Sequence, residues 1–363
     1  MKALFLFAFF VLSLQAEKWK RVFFHDADDS VLNIVDLKFP TARRGVAAAV
    51  LIEKGKQRGV TITTNDGGVS WQINAVQEIP VSLFFLNESL GWMVTDGGVW
   101  RTQEAGRDWR KIKSAKWMNE VQFFDEKHGF LTGRKKQILE TGDGGKTWSK
   151  LAVLENVESS AEYTTFNAMA FSGKYGMITG GSRPPRTHYG ELPEWMESYG
   201  KSRRREWPNL MVVLSSSDSG TTWIPSTSSL FGRVERVRLE QGWSQGLVLL
   251  AFDNAFSVPS EVLKLDPSTG GSTSIYRKKD RAITDVLLTG KDKVLLGGYE
   301  PLGELHSAPV PGKLKIIKSD NMKDWQEMDV DYRAVARNVT LAAGPDGSCW
   351  AATDTGIILK LTE

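Results

Sequence analysis

The sequence predicts an all-β chain: a seven-bladed β-propeller of four-stranded antiparallel blades, its ring closed by the N-terminal strand pairing with the last blade. Three observations predict it: an internal repeat of near-constant length, a turn motif recurring once per repeat, and a composition of 13 Trp and 34 Gly in 363 residues. Tryptophan favours strands and glycine supplies tight turns, so this composition favours many short strands joined by sharp reversals.

The turn motif is "TGDGGKTW" at 141–148, with copies "TNDGGVSW" at 64–71, "TQEAGRDW" at 102–109, "SSDSGTTW" at 216–223 and the eroded "KSDNMKDW" at 318–325. Trp71, Trp109 and Trp148 follow one another at about 40 residues, the length of a propeller blade. A second motif keeps the same beat: "FPTARRG" at 39–45, "FLNESLG" at 85–91, "FFDEKHG" at 123–129 and "AFSGKYG" at 170–176. Each places a turn between two apolar runs, so every unit reads as four strands, with the acid-bearing turn between the third and fourth.

Taken in order, residues 1–16 carry one lysine and an apolar run from Ala3 to Leu14, then end on Ala16, the layout of a secretory signal peptide. No cysteine follows that run, which argues against a lipoprotein. The mature domain is expected over 17–363, exported to the periplasm or beyond. Its single cysteine, Cys349, allows no internal disulfide, so a core must hold it. Three regular units follow. The fourth carries an insertion at 182–209, because Pro184, Pro185, Pro193 and Pro208 with dense charge do not alternate like strands. The fifth lies around Val234 to Tyr276 with a decayed turn near Asp266, and the sixth runs from Ile283 to about Met328. The seventh supplies three strands, and "KWKRV" at 18–22, which carries a tryptophan near its start as outer strands do, is expected to complete it.

The recurring acid is read as structural. Asp66, Glu104, Asp143, Asp218 and Asp320 are expected to accept turn N–H groups. Trp71, Trp109, Trp148, Trp223 and Trp325 are expected to fill the wedge between neighbouring sheets. Acids distributed round a ring cannot converge on one substrate, so no catalytic residue is assigned among them.

The pattern Ser/Thr-x-Asp-x-Gly-x-Thr-Trp resembles the Asp-box, or bacterial neuraminidase repeat, of sialidases, xyloglucan-degrading enzymes, sortilin receptors and photosystem II assembly factors. The "GDGGKTW" form and the Phe123–Phe130 turn are most similar to the last group. That resemblance implies a non-enzymatic propeller holding a membrane-protein subunit during assembly; it does not by itself imply a photosynthetic role. A sialidase is disfavoured, because the chain lacks an N-terminal Arg-Ile-Pro motif.

Alternation of strands places the loops between second and third strands on the face opposite the acid-bearing turns. Those loops are short in the first three units and swell in the fourth to sixth, at 182–209, 252–261 and 299–312. Long loops on a rigid scaffold are where binding sites collect. Arg183, Arg186, Arg203, Arg204 and Arg205 are candidates for pairing with acidic groups, and Tyr189, Trp195 and Trp207 for anchoring a partner. His188, His306, Asp253 and Glu300 share that rim, yet no metal-ligand spacing supports a metal, and no cofactor is expected. The bland alternative is a solvated charge run with aromatics pinning the loop. The expected partner is a protein, with a membrane-protein subunit implied by the resemblance and a glycan as the alternative ligand; a glycoside hydrolase needs a carboxylate pair that sequence cannot locate. A net charge of +3 makes no case for nucleic acid, and a monomer is expected.

Overall fold

The computed structural model describes residues 17–183, 208–239, 245–252, 258–300, 304–305, 308–309, 312–330 and 334–362. These form seven antiparallel blades around a common axis, with a single short 3-10 helix, Ala152–Asn156. Blade one is the template: Ser30–Lys38 lines the axis, Gly45–Glu53 and Lys56–Thr64 follow outward, and Gln72–Ala75 forms the rim. The innermost strands of blades two to seven are Pro80–Phe85, Met118–Phe123, Thr164–Ser172, Arg233–Leu239, Ala282–Gly290 and Val339–Ala343.

Burial follows position in the blade. The second strand of blade one, "GVAAAVLIE", is buried over most of its length and nowhere fully exposed because sheets press on both its faces, whereas the rim strand "QINA" is exposed throughout. Apolar side chains from adjacent blades interlock as a series of wedges rather than one central core. One wedge joins Leu32, Ile34 and Ile62 of blade one to Trp350 and Ile358 of blade seven.

Blade seven is made from both ends of the described chain. Val339–Ala343, Cys349–Thr353 and Ile357–Thr362 are continued by Lys18–Phe24, which pairs antiparallel with the third strand, Trp19 opposite Leu361. The seam is reinforced from blade six: Asp329 and Val330 add a short parallel pairing to Lys18 and Trp19. Trp19 is 1% exposed and lies among Leu295, Ile316 and Met328, with its indole N–H 3.3 Å from the Met328 sulfur. Closure removes a sheet edge and ties down the chain ends.

Each of the first six inner strands carries a one-residue slip in register, at Ile34/Asp36, Pro80/Ser82, Met118/Glu120, Phe166/Ala168, Val234/Arg236 and Ile283/Asp285. Such bulges bend a strand and re-aim its side chains. Here they turn polar residues toward the next blade. The Asn119 amide donates to the Phe166 carbonyl at 2.8 Å, the Asn167 amide to the Val234 carbonyl at 2.7 Å, and the Val339 N–H donates to the Thr284 hydroxyl at 2.8 Å.

Candidate functional site

The acid-bearing turns define one face. In blade one the Asp66 carboxylate accepts from the Val69 and Ser70 N–H groups at 3.0 and 2.9 Å and from the Thr64 and Ser70 hydroxyls. Asp143 and Asp218 repeat the arrangement with Thr147 and Thr222. The turn is also bonded to the reversal between the first two strands: Gly67 N–H to the Arg43 carbonyl, Gly144 N–H to Lys127, and Ser219 N–H to Lys174, at 2.8–2.9 Å. The Trp71 and Trp148 indoles fold back onto the Gly68 and Gly145 carbonyls at 3.2 and 2.9 Å. In blades two and four, the Trp109 and Trp223 N–H groups are buried with no acceptor among the described residues.

Two copies depart from the expected geometry. Asp320 is not the acceptor of its turn. Asn321 takes that place, accepting from the Lys323 and Asp324 N–H groups at 2.9 and 2.8 Å, because the turn is one residue shorter between Ser319 and Trp325. Asp320 instead stands exposed, 3.8 Å from Lys318. Glu104 is the second departure: only its N–H and carbonyl take part, and its exposed carboxylate accepts no bond from the described residues.

The opposite face collects the loops between second and third strands and the blade-to-blade connections. It carries five of the eight exposed large apolar side chains among the described residues: Phe24, Val31, Trp117, Phe231 and Val335. Trp117 is half exposed and its backbone is left-handed, φ 64°, an unusual conformation for so bulky a residue. Lys135 lies 4.2 Å from its ring centroid, at cation–π distance, and the Arg134 N–H bonds the Trp117 carbonyl at 2.9 Å. Lys135 and Lys136 are themselves left-handed, so the connection 115–117 and the turn 134–136 form one strained, basic and aromatic corner.

Of the rim candidates, Arg186, His188, Tyr189, Trp195, Arg203, Arg204, Arg205, Trp207, Asp253 and His306 lie outside the described residues. Arg183 ties the start of the insertion to the next blade, donating to the Gly232 carbonyl at 3.1 Å. Glu300 lies 3.4 Å from Lys315, which also pairs with Glu327, itself 2.8 Å from Arg281. Glu300 is therefore one arm of an ion-pair network. No group of three potential metal ligands occurs among the described residues.

The channel along the axis holds a second polar constellation. Three inner-strand carboxylates each cap an N–H of the following blade: Asp36 that of Leu83 at 2.8 Å, Glu120 that of Met169 at 2.9 Å, and Asp285 that of Leu341 at 2.9 Å. These N–H groups face the axis and have no further strand to pair with, so a side chain must satisfy them. Arg238 clasps both oxygens of Asp285 at 2.8 and 3.1 Å, and Lys38 pairs with Asp36 at 2.6 Å. Burial alone would raise the Asp285 carboxyl, but Arg238 and Arg236 hold it below the usual carboxylate range. Glu120 shifts the other way: burial, only partly offset by Arg238 and its hydrogen bonds, pushes its carboxyl up.

Comparison with known proteins agrees with this architecture. The family model described as photosynthesis system II assembly factor YCF48 matches residues 103–185. The photosystem II assembly lipoprotein Ycf48 of Synechococcus sp. (strain CC9902) is 23% identical over 258 residues, 66% of this chain and 71% of that protein. The chloroplastic photosystem II stability/assembly factor HCF136 of Oryza sativa subsp. japonica is 41% identical over 116 residues, 31% of this chain and 21% of that protein. Among solved structures, YCF48 bound to D1 peptide superposes with a TM-score of 0.62 at 15% identity, covering 96% of this chain and 97% of that one. YCF48 from Cyanidioschyzon merolae gives 0.60 at 16%, covering 95% and 98%. At such identities the superpositions speak for the fold. The chain is thus a seven-bladed β-propeller of the bacterial neuraminidase repeat type, similar to the photosystem II assembly factors.

Proposed function

We propose that the protein is an exported, non-catalytic scaffold that holds a protein partner on its loop face. The observation carrying this reading is the one-sided display of Phe24, Val31, Trp117, Phe231 and Val335 on a face otherwise built from loops. Exposed aromatic anchors beside cations are the composition of protein interfaces. The relatives support it: several are photosystem II assembly or stability factors, and one solved structure holds a D1 peptide. By that likeness the partner is a segment of a membrane-protein subunit, and the contact set extends onto Arg186, His188, Tyr189, Trp195, Arg203, Arg204, Arg205 and Trp207, with Asp253 and His306 at its border. The apolar leader at 1–16 supports export, in keeping with relatives described as lipoproteins.

The test is site-specific photo-crosslinking in the native host. A photoreactive residue at Trp117 or Phe231 is expected to capture one integral-membrane protein, and Arg203→Ala, Arg204→Ala and Arg205→Ala together are expected to reduce that capture. The same label at Val69 or Ile224, away from the loop face, is expected to capture none. Equal capture from all four positions, or none from any, would overturn the assignment.

A further inference from the structure

The channel holds hydrogen-bond donors that the protein itself does not answer. Arg236, on blade five, donates from Nη1 to the Glu235 carbonyl at 3.0 Å, while its Nε stands 3.7 Å from Asp285, beyond hydrogen-bond distance. Its remaining terminal nitrogen has no acceptor among the described residues. The hydroxyls of Ser82 on blade two and Thr340 on blade seven are buried and unpartnered, and Thr340 is only 3% exposed. All three residues line one cavity of about 250 Å³, which also takes in Lys38.

The carboxylates beside them are already engaged. Asp36 bonds Lys38 and the N–H groups of Leu37 and Leu83, Glu120 bonds Gln122 and Met169, Glu235 pairs with Arg233, and Asp285, next to the cavity, bonds Arg238, Val286 and Leu341. What the cavity lacks is an acceptor able to meet donors from three blades at once. A single water has two lone pairs and occupies roughly 30 Å³ of liquid. An oxyanion carries several acceptor oxygens and forms the stronger, charge-assisted bonds with a guanidinium.

We propose that the axial channel is a binding site for a small free oxyanion of the sulfate, phosphate or carboxylate class, held by Arg236, Ser82 and Thr340. Glu120 is the group that responds to its arrival. Its carboxyl faces the same cavity and already resists ionisation, so an entering anion drives proton uptake there, and occupancy rises as the solution is acidified.

The experiment uses sulfate, whose charge is constant across the range needed, titrated into the purified protein by calorimetry against chloride at matched ionic strength. The expected result is one saturable site, weakened at least about tenfold by Arg236→Gln and about threefold by the near-isosteric Thr340→Val, and tightened by Glu120→Gln. Near-UV circular dichroism checks each variant, and Thr340→Val decides the matter if Arg236→Gln does not fold. Absence of saturable binding to the wild type, or Arg236→Gln and Thr340→Val variants that bind sulfate as it does, would overturn the proposal. No protein partner is present in the titration, so its outcome is independent of the scaffold reading.

Discussion

Arg238 on blade five grips both carboxylate oxygens of Asp285 on blade six, while Asp285 reaches past it to the Leu341 N–H of blade seven. One carboxylate thus links three blades at the axis. Removing Arg238 alone leaves the wholly buried Asp285 with Arg236, 3.7 Å away, as its nearest remaining cation and without its two-pronged hydrogen bonds, so Arg238→Met is expected to cost about 3 kcal/mol. The double variant Arg238→Met with Asp285→Asn removes both charges and keeps an acceptor for Leu341. It is expected to be markedly more stable than the single variant, a difference that urea midpoints will read. Equal losses would show that the pair is uncoupled.

The acid-bearing turns make stability depend on acid. Hydrogen bonds from Thr147 hold Asp143 at about 2, and those from Thr222 hold Asp218 likewise at about 2; Ser70 and Thr64 lower Asp66 further. A carboxyl depressed in the folded state contributes stability that is complete above its unfolded value, 3.8, and fades as pH falls through the folded one. The urea midpoint is therefore expected to drop between about pH 4 and pH 2. Asp143→Asn should begin lower near neutrality and converge with wild type at the acid end. Parallel curves would assign the acid sensitivity elsewhere.

Gly220 and Gly55 separate backbone strain from crowding. Both are left-handed, at φ 80° and 75°, but a Cβ on Gly220 would meet Phe124 at 2.8 Å and Phe130 at 2.9 Å, while nothing lies within 4 Å of one on Gly55. Gly55→Ala is expected to cost about 1–2 kcal/mol from conformation alone. Gly220→Ala adds overpacking of about 1–3 kcal/mol against blade three. Indistinguishable thermal or urea midpoints for the two variants would refute the close inter-blade contact.

The seam offers a fourth test. Trp19 fills a site among blade-six residues and anchors the strand that completes blade seven. Trp19→Ala is expected to cost about 3–5 kcal/mol and to open the amino-terminal strand to protease before the rest of the ring. Limited proteolysis with mass spectrometry would locate the first cut; a first cut within another blade would contradict a weakened seam.

Much of this architecture is legible in sequence because its determinants are local. The spacing of Trp71, Trp109 and Trp148 marks the blades, and Trp19 marks the missing outer strand. Where local reading fails, the reason is physical. Counting back from Trp325 selects Asp320, but Met322 adopts the left-handed conformation and Asn321 becomes the acceptor in a shorter turn. The channel charges were missed because "SVLNIVDLK" and "MNEVQF" read as ordinary half-buried strands. Their burial arises only when seven inner strands meet at one axis, although a charge recurring in first strands was the available signal. Trp117 left no such trace, since nothing in its neighbours dictates a left-handed tryptophan. The rim arginines Arg203 to Arg205 fall outside the described residues.

The seam also fixes the side of the disc from which the amino terminus leaves. Lys18 enters beside Thr362 on the side of the acid-bearing turns, and Glu17 is held there by Lys318 at 2.8 Å. A leader retained as a membrane tether would leave from that side, laying the acid-bearing turns toward the bilayer and lifting the loops into the aqueous compartment. In that form a client would have to rise above the lipid surface to be gripped, which selects soluble tails and inter-helix segments over the membrane-embedded spans.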